Sequence, residues 1–243
     1  MTFETKVMGH RGAAKIAPEN TLAAITAAAE TGAKWVEIDV TLAADGLVIY
    51  HDDTLERCSN GTGLVKETSL AELKTLDTGS WFAEAFSGER IPTLVEALDH
   101  VQGLGLSLNL EIKYEQAAVG SIVPAVMATL AEHWQDKSKL CISSFNEAVL
   151  VRVRSLDSDL RLGQLYEAIP SNWPETLANI QAFSLNCDYS LLDKETALAI
   201  KEAGYLLFCY TANELESVSE HWSWGMDAVI TDDPAVFFNA GIK

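Results

Sequence analysis

Residues 35–41 read Trp35-Val36-Glu37-Ile38-Asp39-Val40-Thr41, a run of apolar and β-branched side chains interrupted by two carboxylates. Such a run is typical of a strand buried within a parallel sheet. Side chains alternate between the two faces of a strand, so Glu37 and Asp39 lie on the same face. An acidic group inside a buried strand needs a partner or a cation, because an isolated charge is costly to bury. The segment therefore predicts a parallel sheet that carries a polar site.

Similar short β-type runs recur along the chain, and longer helical patterns separate them. The candidate strands are Lys6–Gly9, Trp35–Thr41, Leu106–Lys113, Leu140–Phe145, Leu160–Tyr166, Ala182–Cys187, Tyr205–Thr211 and Ala228–Thr231. Strands that alternate with helices favour parallel pairing through βαβ crossovers. Eight of them in 243 residues predict an α/β protein with a TIM (β/α)₈ barrel. An open doubly wound sheet is the alternative, weakened because no Gly-x-Gly-x-x-Gly follows the first strand.

One stretch after the second strand departs from this alternation. A hairpin is predicted at residues 41–51, with Asp45-Gly46 as its turn, and about forty residues (52–91) then precede the next clear barrel helix. Loops of such length are usually functional or independently packed. We therefore predict a single domain over residues 1–243 with a small inserted subdomain at approximately 52–91. Its aromatic residues Trp81, Phe82 and Phe86 form either its own core or a wall of the pocket.

The composition excludes several classes of protein. A net charge of −18, from 17 basic and 35 acidic residues, would repel a polyanion, so nucleic-acid binding is not expected. The first residues lack the pattern of a signal peptide, and no apolar run is long enough for stable membrane insertion. The four cysteines are widely spaced and without a Cys-x-x-Cys pair, which is typical of reduced, structural thiols. We expect a cytoplasmic protein, a monomer or a homodimer.

Polar residues cluster where the first strands end. His10 and Arg11 follow the first strand, His51 ends the hairpin, and Glu111 and Lys113 close the third barrel strand. In a TIM barrel the active site lies at the carboxyl ends of the strands. These side chains, together with the two carboxylates of the second strand, are therefore expected to converge at one mouth of the barrel.

Three carboxylates at that mouth, Glu37, Asp39 and Glu111, form an all-oxygen set suited to one hard divalent cation, Mg²⁺ or Ca²⁺. With such an ion and the cations Arg11 and Lys113, the group carries one net positive charge, which a phosphodiester monoanion would neutralise. The alternative is a set of structural salt bridges, with Arg11 paired to Glu37 or Asp39 and Lys113 to Glu111.

His10 and His51 suggest acid–base chemistry on a phosphodiester. One histidine can take a proton from the attacking oxygen while the other protonates the leaving alcohol, and an ordinary pKa near ~6.5 suits both tasks. The alternative is that both only close polar contacts at strand ends. The sequence has no Gly-x-Ser-x-Gly elbow, P-loop or His-Glu-x-x-His motif, so serine hydrolases, NTPases and zinc proteases lack support.

Taken together, several ordered segments resemble the glycerophosphodiester phosphodiesterase family, most closely its short cytosolic bacterial members. Each tetrapeptide alone is a weak signal, whereas the ordered set covers nearly the whole chain. The matching segments are Gly9-His10-Arg11-Gly12, Pro18-Glu19-Asn20-Thr21, Glu37-Ile38-Asp39-Val40, His51-Asp52-Asp53-Thr54-Leu55-Glu56-Arg57, Ile91-Pro92-Thr93-Leu94, Leu110-Glu111-Ile112-Lys113 and Ile230-Thr231-Asp232-Asp233-Pro234.

The resemblance implies a TIM-type barrel with an insertion after the second strand and hydrolysis of glycerophosphodiesters, such as glycerophosphocholine, to sn-glycerol 3-phosphate and an alcohol. It also implies roles for the residues singled out above. His10 and His51 would be the acid–base pair, which we assign as base and acid respectively. The implied ligands of the cation are Glu37, Asp39 and Glu111, and the implied phosphate-binding residues are Arg11 and Lys113.

One motif departs from the family pattern. Near the seventh strand the family has Trp-Thr-Val-Asn, whereas this chain has Tyr210-Thr211-Ala212-Asn213, which puts an aromatic wall of the pocket in doubt. Three other functions stay open: a related barrel phosphodiesterase acting on lysophospholipid or phospholipid, a non-catalytic phosphate-ester binding protein, and a metal-dependent sugar isomerase.

Overall fold

The computed structural model describes residues 3–113 and 119–243, and its centre is a closed barrel of eight parallel strands. The order of pairing is β1-β9-β8-β7-β6-β5-β4-β2, and β2 pairs with β1 to close the ring. The predicted TIM barrel is confirmed, and each predicted strand matches an observed one to within about two residues. The strands of the barrel are β1 (Val7–Gly9), β2 (Trp35–Leu42), β4 (Ser107–Ile112), β5 (Leu140–Ser144), β6 (Arg161–Tyr166), β7 (Ser184–Asp188), β8 (Leu206–Tyr210) and β9 (Ala228–Thr231).

The ninth strand, β3 (Leu47–Ile49), lies outside the ring and pairs antiparallel with the end of β2. The amide of Ala43 donates to the carbonyl of Gly46 across the turn (2.8 Å), so the predicted hairpin is present. Its role in the site is positional, because it returns the chain to the carboxyl end of β2, where His51 follows.

Helices cover the outside of the barrel and bury an apolar face against the strands, except for one short helix, α2 (Leu70–Leu73), which lies within residues 52–91 and packs in a separate apolar cluster. Their bounds are α1 (Leu22–Thr31), α2 (Leu70–Leu73), α3 (Leu94–Gly103), α4 (Val119–His133), α5 (Glu147–Leu156), α6 (Trp173–Ile180), α7 (Lys194–Glu202) and α8 (Pro234–Asn239). Among residues 3–113 and 119–243, none of these helices combines the length and the apolar character needed to span a bilayer.

Two helices differ in detail from what the sequence predicts. A helix is predicted over Thr21–Glu30 after Asn20; the observed helix begins one residue later, its cap is Thr21, whose hydroxyl accepts the amide of Ala24 (3.1 Å), and the side chain of Asn20 contacts Asp39. The sequence also predicts a helix over residues 214–224, between Asn213 and Gly225, but this segment is a series of turns around the short 3₁₀ helix Glu216–Val218. The side chains of Trp222 and Trp224 pack against the outer core from these turns. Such tertiary contacts outweigh the local helical pattern of the sequence.

The apolar core has an outer layer between strands and helices and an inner plug within the barrel. Phe3 packs its ring against Trp35 and Phe208, with centroid distances of 5.0 and 4.7 Å, where strands of the barrel begin. The four cysteines are all buried and form no disulfide. The amino ends of the strands are thus filled by large apolar side chains, which leaves the carboxyl ends for polar groups.

Residues 52–91 pack around a small apolar cluster beside the barrel mouth. The members of this cluster are Ala43, Val48, Tyr50, Leu55, Cys58, Val65, Leu73 and Ile91. The ring of Phe82 contacts those of Trp81 and Phe86 edge-to-face near the surface, outside that cluster. They also do not line the cavities described below, so these aromatic residues take neither of the two predicted positions.

The capping residue at the start of α3, Thr93, allows the contribution of a single helix cap to stability to be measured. Thr93 Oγ1 accepts the amide of Glu96 (3.2 Å), and Glu96 Oε2 accepts the amide of Thr93 (2.7 Å), forming a capping box. Replacing Thr93 with alanine is expected to lower the free energy of unfolding by about 1 kcal/mol and the melting temperature by roughly 2–4 °C.

Thr129→Ala is the matched control for this substitution. Thr129 lies inside α4, where its hydroxyl donates to the carbonyl of Ala125 (3.0 Å) and caps nothing. Alanine is the better helix former at such a position, so this change is expected to leave the melting temperature unchanged or slightly raised. Equal melting temperatures for the two variants, measured by thermal unfolding, would contradict a stabilising role of the cap.

Candidate active site

The polar residues predicted at the strand ends do meet at one mouth of the barrel. His10 and Arg11 directly follow β1, and Lys113 directly follows β4. Asp39 and Glu111 are direct neighbours on adjacent parallel strands, because β2 and β4 pair with Asp39 opposite Glu111. The site is therefore built on the barrel itself, and its carboxylates are placed by strand register.

A tight turn after β1 brings the backbone of Arg11 to the carboxylates. Arg11 and Gly12 both have positive φ angles, 50° and 88°. A Cβ atom at Gly12 would lie 2.5 Å from the backbone of Ala24, so this position requires glycine. The turn directs the amide of Arg11 onto Glu37 Oε2 (3.0 Å), and the guanidinium of the same residue extends over the mouth.

Glu37, Asp39 and Glu111 form a compact acidic cluster in which one oxygen of each lies within 4.8 Å of the others. Their exposed fractions are 4%, 1% and 9%, so all three carboxylates are buried. Asn20 fixes one of them, because its Nδ2 donates to Asp39 Oδ2 (2.8 Å) and its Oδ1 accepts the amide of Asp39 (3.1 Å). The cluster is therefore held in place before any ligand binds.

Ion pairs compensate this cluster only in part. Lys113 Nζ lies 3.0 Å from Glu111 Oε1, and Arg11 Nε lies 3.5 Å from Asp39 Oδ2, so the salt bridges of the alternative interpretation do occur. Glu37 differs, because its buried Oε1 accepts no hydrogen bond from any residue that the structure describes. A divalent cation that prefers oxygen ligands would satisfy this atom, so the donor set fits Mg²⁺ or Ca²⁺.

The pKa values of the three carboxyl groups reflect this arrangement. Burial, with the charges of Asp39 and Glu111, raises the pKa of Glu37 well above its usual value. Burial and the charge of Asp39 raise the pKa of Glu111 to about 7. Although burial would raise the pKa of Asp39 as well, Arg11 and Lys113 outweigh it and lower that pKa. In the absence of a cation the cluster holds protons that a metal ion would displace.

His10 is oriented by a carboxylate on its far side. Its Nδ1 lies 2.7 Å from Asp232 Oδ1, and Asp232 Oδ2 accepts from Asn213 Nδ2 (2.8 Å). A proton on Nδ1 that donates to Asp232 leaves a lone pair on Nε2, which lies 3.9 Å from Glu37 Oε2 on the side of the acidic cluster. This tautomer suits a proton acceptor at Nε2.

His51 has the same kind of support from a different segment. Its Nδ1 lies 2.6 Å from Asp52 Oδ1, so its Nε2 is the ring nitrogen left for the site. The pKa of His51 is lowered from its usual value, because burial and the charges of Arg11 and Lys113 together outweigh the opposing charge of Asp39. A bound phosphodiester anion would offset the two cations and so favour the protonated form of His51.

Two connected cavities open from this mouth. The inner one, about 210 Å³, is lined by His10, Arg11, Glu37, His51, Asn109, Glu111, Lys113, Ser143, Phe145, Leu165, Tyr210, Thr211 and Ile230. The outer one, about 770 Å³, shares His51, Glu111, Lys113 and Phe145 with it but does not reach His10. Tyr210 and Phe145 pack edge-to-face with a centroid distance of 6.1 Å, so an aromatic wall is present although tyrosine replaces tryptophan.

The structure thus brings all seven predicted site residues together and adds others. The partners of the histidines, Asp52 and Asp232, and the partner of Asp39, Asn20, had no predicted role, although the matched segments contain them. Asp52 could have been suggested by its place directly after His51. The donor set of this arrangement suits a divalent ion and a phosphate, and each of the two histidines has a ring nitrogen, Nε2, suited to proton transfer.

Comparison with known sequences places this site among phosphodiesterases. The sequence profile of the glycerophosphoryl diester phosphodiesterase family matches residues 10–236. A glycerophosphodiester phosphodiesterase of Caldanaerobacter subterraneus subsp. tengcongensis is 37% identical over 239 residues, covering 98% of each chain. A glycerophosphodiester phosphodiesterase of Bacillus subtilis is 32% identical over 248 residues, covering 95% of this chain and 84% of the relative.

Solved structures of similar proteins agree. A phosphodiesterase of Oleispira antarctica, determined in complex with the product sn-glycerol-3-phosphate, superposes with a TM-score of 0.95 at 39% identity and covers 98% of this chain and 97% of that one. A glycerophosphodiester phosphodiesterase of Thermotoga maritima superposes with a TM-score of 0.76 at 27% identity, covering 99% of this chain and 100% of that one.

Proposed function

This chain belongs to the glycerophosphoryl diester phosphodiesterase family, and on that premise we propose that it hydrolyses glycerophosphodiesters, such as glycerophosphocholine and glycerophosphoethanolamine, to sn-glycerol 3-phosphate and an alcohol. The observation that carries the proposal is one cavity lined by two carboxylate-supported histidines, His10 and His51, beside a buried acidic cluster. This combination supplies the two proton transfers and the charge stabilisation that hydrolysis of a phosphodiester requires.

In this proposal Glu37, Asp39 and Glu111 hold one divalent cation, Mg²⁺ or Ca²⁺. Two observations support that assignment: Glu37 Oε1 accepts no hydrogen bond from residues 3–113 or 119–243, and the three carboxylate oxygens lie close together. When bound, such an ion polarises a phosphate oxygen and stabilises the charge that develops on it. The remaining contributions come from the side chains themselves.

Arg11 and Lys113 bind the phosphate in the proposed complex. Both line the inner cavity, and the buried Nε of Arg11 donates to no residue within the described part of the chain. Asp39 Oδ2 lies 3.5 Å from that Nε, so the two groups form an ion pair without a hydrogen bond, and the guanidinium charge remains beside the cavity for a phosphate oxygen. A guanidinium can bind two such oxygens at once, whereas the ammonium of Lys113 acts as a point charge.

We assign His10 as the base and His51 as the acid. His10 lines only the inner cavity, next to the carboxylates, and its Nε2 is suited to take a proton from the attacking oxygen. His51 lines both cavities, and the larger outer cavity offers room for the alcohol. Protonation of the leaving oxygen by His51 would release the alcohol on that side.

Residues 52–91 are best regarded as an inserted subdomain within one domain spanning 1–243. Their own apolar cluster supports this division. They also contribute Asp52, the partner of His51, so the insertion takes part in the proposed site. The buried, unpaired cysteines support a reducing, cytoplasmic environment for the protein.

The test of this proposal is release of glycerol 3-phosphate from glycerophosphocholine and glycerophosphoethanolamine by the purified protein. The reaction is run with EDTA and then with Mg²⁺ or Ca²⁺ in excess, and the product is measured with a coupled dehydrogenase. We expect release that depends on the added cation and is suppressed by the chelator. Glycerol 3-phosphate serves as the control substrate, and no inorganic phosphate should form from it.

Absence of release with either cation and either head group, from folded protein, would overturn the proposed function. Hydrolysis of lysophosphatidylcholine under the same conditions would then favour a lipid phosphodiesterase. Binding of glycerol 3-phosphate without turnover of any diester would favour a phosphate-ester binding protein.

A further inference from the structure

A continuous series of ion pairs connects His51 to Arg11 around the rim of the site. Asp52 accepts from His51 on one side and from the guanidinium of Arg57 on the other. Arg57 in turn donates to Glu19, and Glu19 accepts from Arg11 Nη1 (2.6 Å). Arg57 thus lies midway between a histidine proposed to transfer a proton and an arginine proposed to bind the phosphate.

Arg57 uses its whole guanidinium group for two carboxylates. Toward Asp52, Nε donates to Oδ2 (2.5 Å) and Nη2 donates to Oδ1 (2.7 Å). Toward Glu19, Nη1 donates to Oε2 (2.7 Å) and Nη2 donates to Oε1 (2.8 Å). A planar group with five donors can bridge two carboxylates in this way, whereas an ammonium group cannot reproduce the fixed geometry.

The two carboxylates belong to different segments of the chain. Glu19 lies in the connection between β1 and α1, which also carries His10 and Arg11. Asp52 and Arg57 lie after β3, at the start of the insertion. Arg57 therefore ties together the two loops that bring the acid–base and phosphate-binding groups to the barrel mouth.

Each end of the series has a consequence for a reacting group. At one end, Asp52 keeps the Nδ1 side of the His51 ring occupied, which leaves Nε2 for the leaving oxygen. At the other end, Glu19 holds Nη1 of Arg11 and so fixes the orientation of the Arg11 guanidinium beside the cavity. Arg57 neutralises part of the charge on Glu19, which would otherwise compete with the phosphate for Arg11.

A structural role alone leaves the link from Arg57 to the cavity unexplained. The side chain of Arg57 is 45% exposed, and exposed ion pairs typically contribute between 0 and about 1 kcal/mol to stability, although bidentate networks contribute more. The pairs on either side of it involve groups that line the cavity. From these contacts we propose that Arg57 is a positioning residue that sets the orientation of His51 through Asp52 and of Arg11 through Glu19; the proposal rests on the function proposed above.

Arg57→Ala tests this assignment with glycerophosphocholine and saturating cation. The expected result is a kcat lower by at least about tenfold, because His51 is no longer aligned, together with a higher KM, because Arg11 is no longer fixed. The melting temperature should change by no more than that of the control Lys74→Ala. Lys74 forms an exposed ion pair with Glu96 (2.7 Å) from the same insertion, and its loss should leave kcat and KM unchanged.

Two further measurements separate positioning from structure. Guanidinium ion added at millimolar concentration should restore part of the kcat of Arg57→Ala, because the gap is open to solvent, whereas Arg57→Lys should remain impaired. In an Asp52→Asn background the same alanine substitution should change kcat little further, since both act on His51, but should still raise KM.

The outcomes distinguish this proposal from the one on which it rests. A wild-type protein that releases no glycerol 3-phosphate would refute the proposed function before Arg57 is considered. An active wild type with an Arg57→Ala variant within about twofold in kcat and KM would refute the positioning role alone. So would a loss of activity that follows a fall in melting temperature and does not respond to guanidinium.

Discussion

Replacing His51 with alanine is expected to lower kcat for glycerophosphocholine by about 10²-fold or more, since general acid–base groups contribute typically 10²–10⁴-fold. His10→Ala should cause a loss of similar size. Neither ring is part of the apolar core, so the melting temperature should remain close to that of the wild type. Steady-state kinetics with excess cation, together with thermal unfolding, measure both expectations.

The two histidines should respond differently to the leaving group. A p-nitrophenyl ester of glycerol phosphate releases a stable phenolate and needs little protonation of the departing oxygen. If His51 is the acid, His51→Ala should recover most of its rate on this substrate, whereas His10→Ala should remain impaired because the attacking oxygen still has to lose a proton. The reverse pattern would exchange the two roles.

His133→Ala is the matched control for both histidine variants. His133 lies at the end of α4 on the outside of the barrel and does not line either cavity, so its replacement should leave kcat unchanged on both substrates. If His10→Ala or His51→Ala retained near wild-type rates on glycerophosphocholine, that residue would have no part in the chemistry.

The barrel was predictable because its strands are buried on both faces. In such strands the apolar runs stand out from the helical pattern between them, and all eight were located in the sequence. The segment over residues 214–224 shows the limit of this approach. Its composition is typical of a helix, yet it forms turns that allow its aromatic side chains to pack on the outer core. Sequence periodicity cannot predict such a tertiary contact.

The convergence of the site was predictable from strand topology alone. Once residues are placed at the carboxyl ends of parallel barrel strands, the closed ring forces them to face one mouth. This constraint applies to groups on the strands, such as Asp39 and Glu111, although their positions opposite each other are seen only in the structure. It also reaches groups one or two residues beyond a strand, such as His10 and Lys113.

The partners of these groups could not be derived in the same way. His10 contacts Asp232, which is 222 residues away in the sequence. Asp39 contacts Asn20, a loop residue with a positive φ angle that the sequence pattern does not predict. Loop residues have no fixed register, so their contacts depend on the whole path of the chain. Site residues on strands can thus be located from the sequence, whereas the residues that orient them can be identified only from the folded structure.

Replacing the carboxylate of Glu37 is expected to have opposite effects on two quantities, because it weakens cation binding but stabilises the metal-free protein. On the proposed assignment, Glu37→Gln removes a charged ligand of the divalent ion, so the affinity should fall by at least the roughly 10–100-fold that loss of an outer-shell partner causes, and turnover at ordinary cation concentrations should disappear. The metal-free protein should become more stable near pH 8, because a carboxylate crowded by Asp39 and Glu111 has been neutralised. The amide of Arg11 still finds an oxygen acceptor on glutamine.

The same cluster gives the metal-free wild type a defined pH dependence. The pKa of Glu111 is raised from 4.5 to about 7, so between these values the folded protein retains a proton that the unfolded chain releases. The stabilising contribution of that group is complete below pH 4.5 and is lost as the pH rises through about 7. A divalent cation replaces the proton, so the increase in melting temperature on adding Mg²⁺ or Ca²⁺ should grow from pH 6 to pH 8.

Thermal unfolding with and without cation, at both pH values, tests these statements independently of activity. Glu89→Gln is the control, because it makes the same chemical change at a partly buried carboxyl group that lines neither cavity, and it should keep the full cation-dependent shift. If Glu37→Gln kept that shift as well, Glu37 would not be a ligand. Its buried, unpartnered oxygen would then be a source of instability that the metal does not relieve, and the salt-bridge interpretation of the acidic cluster would be the better one.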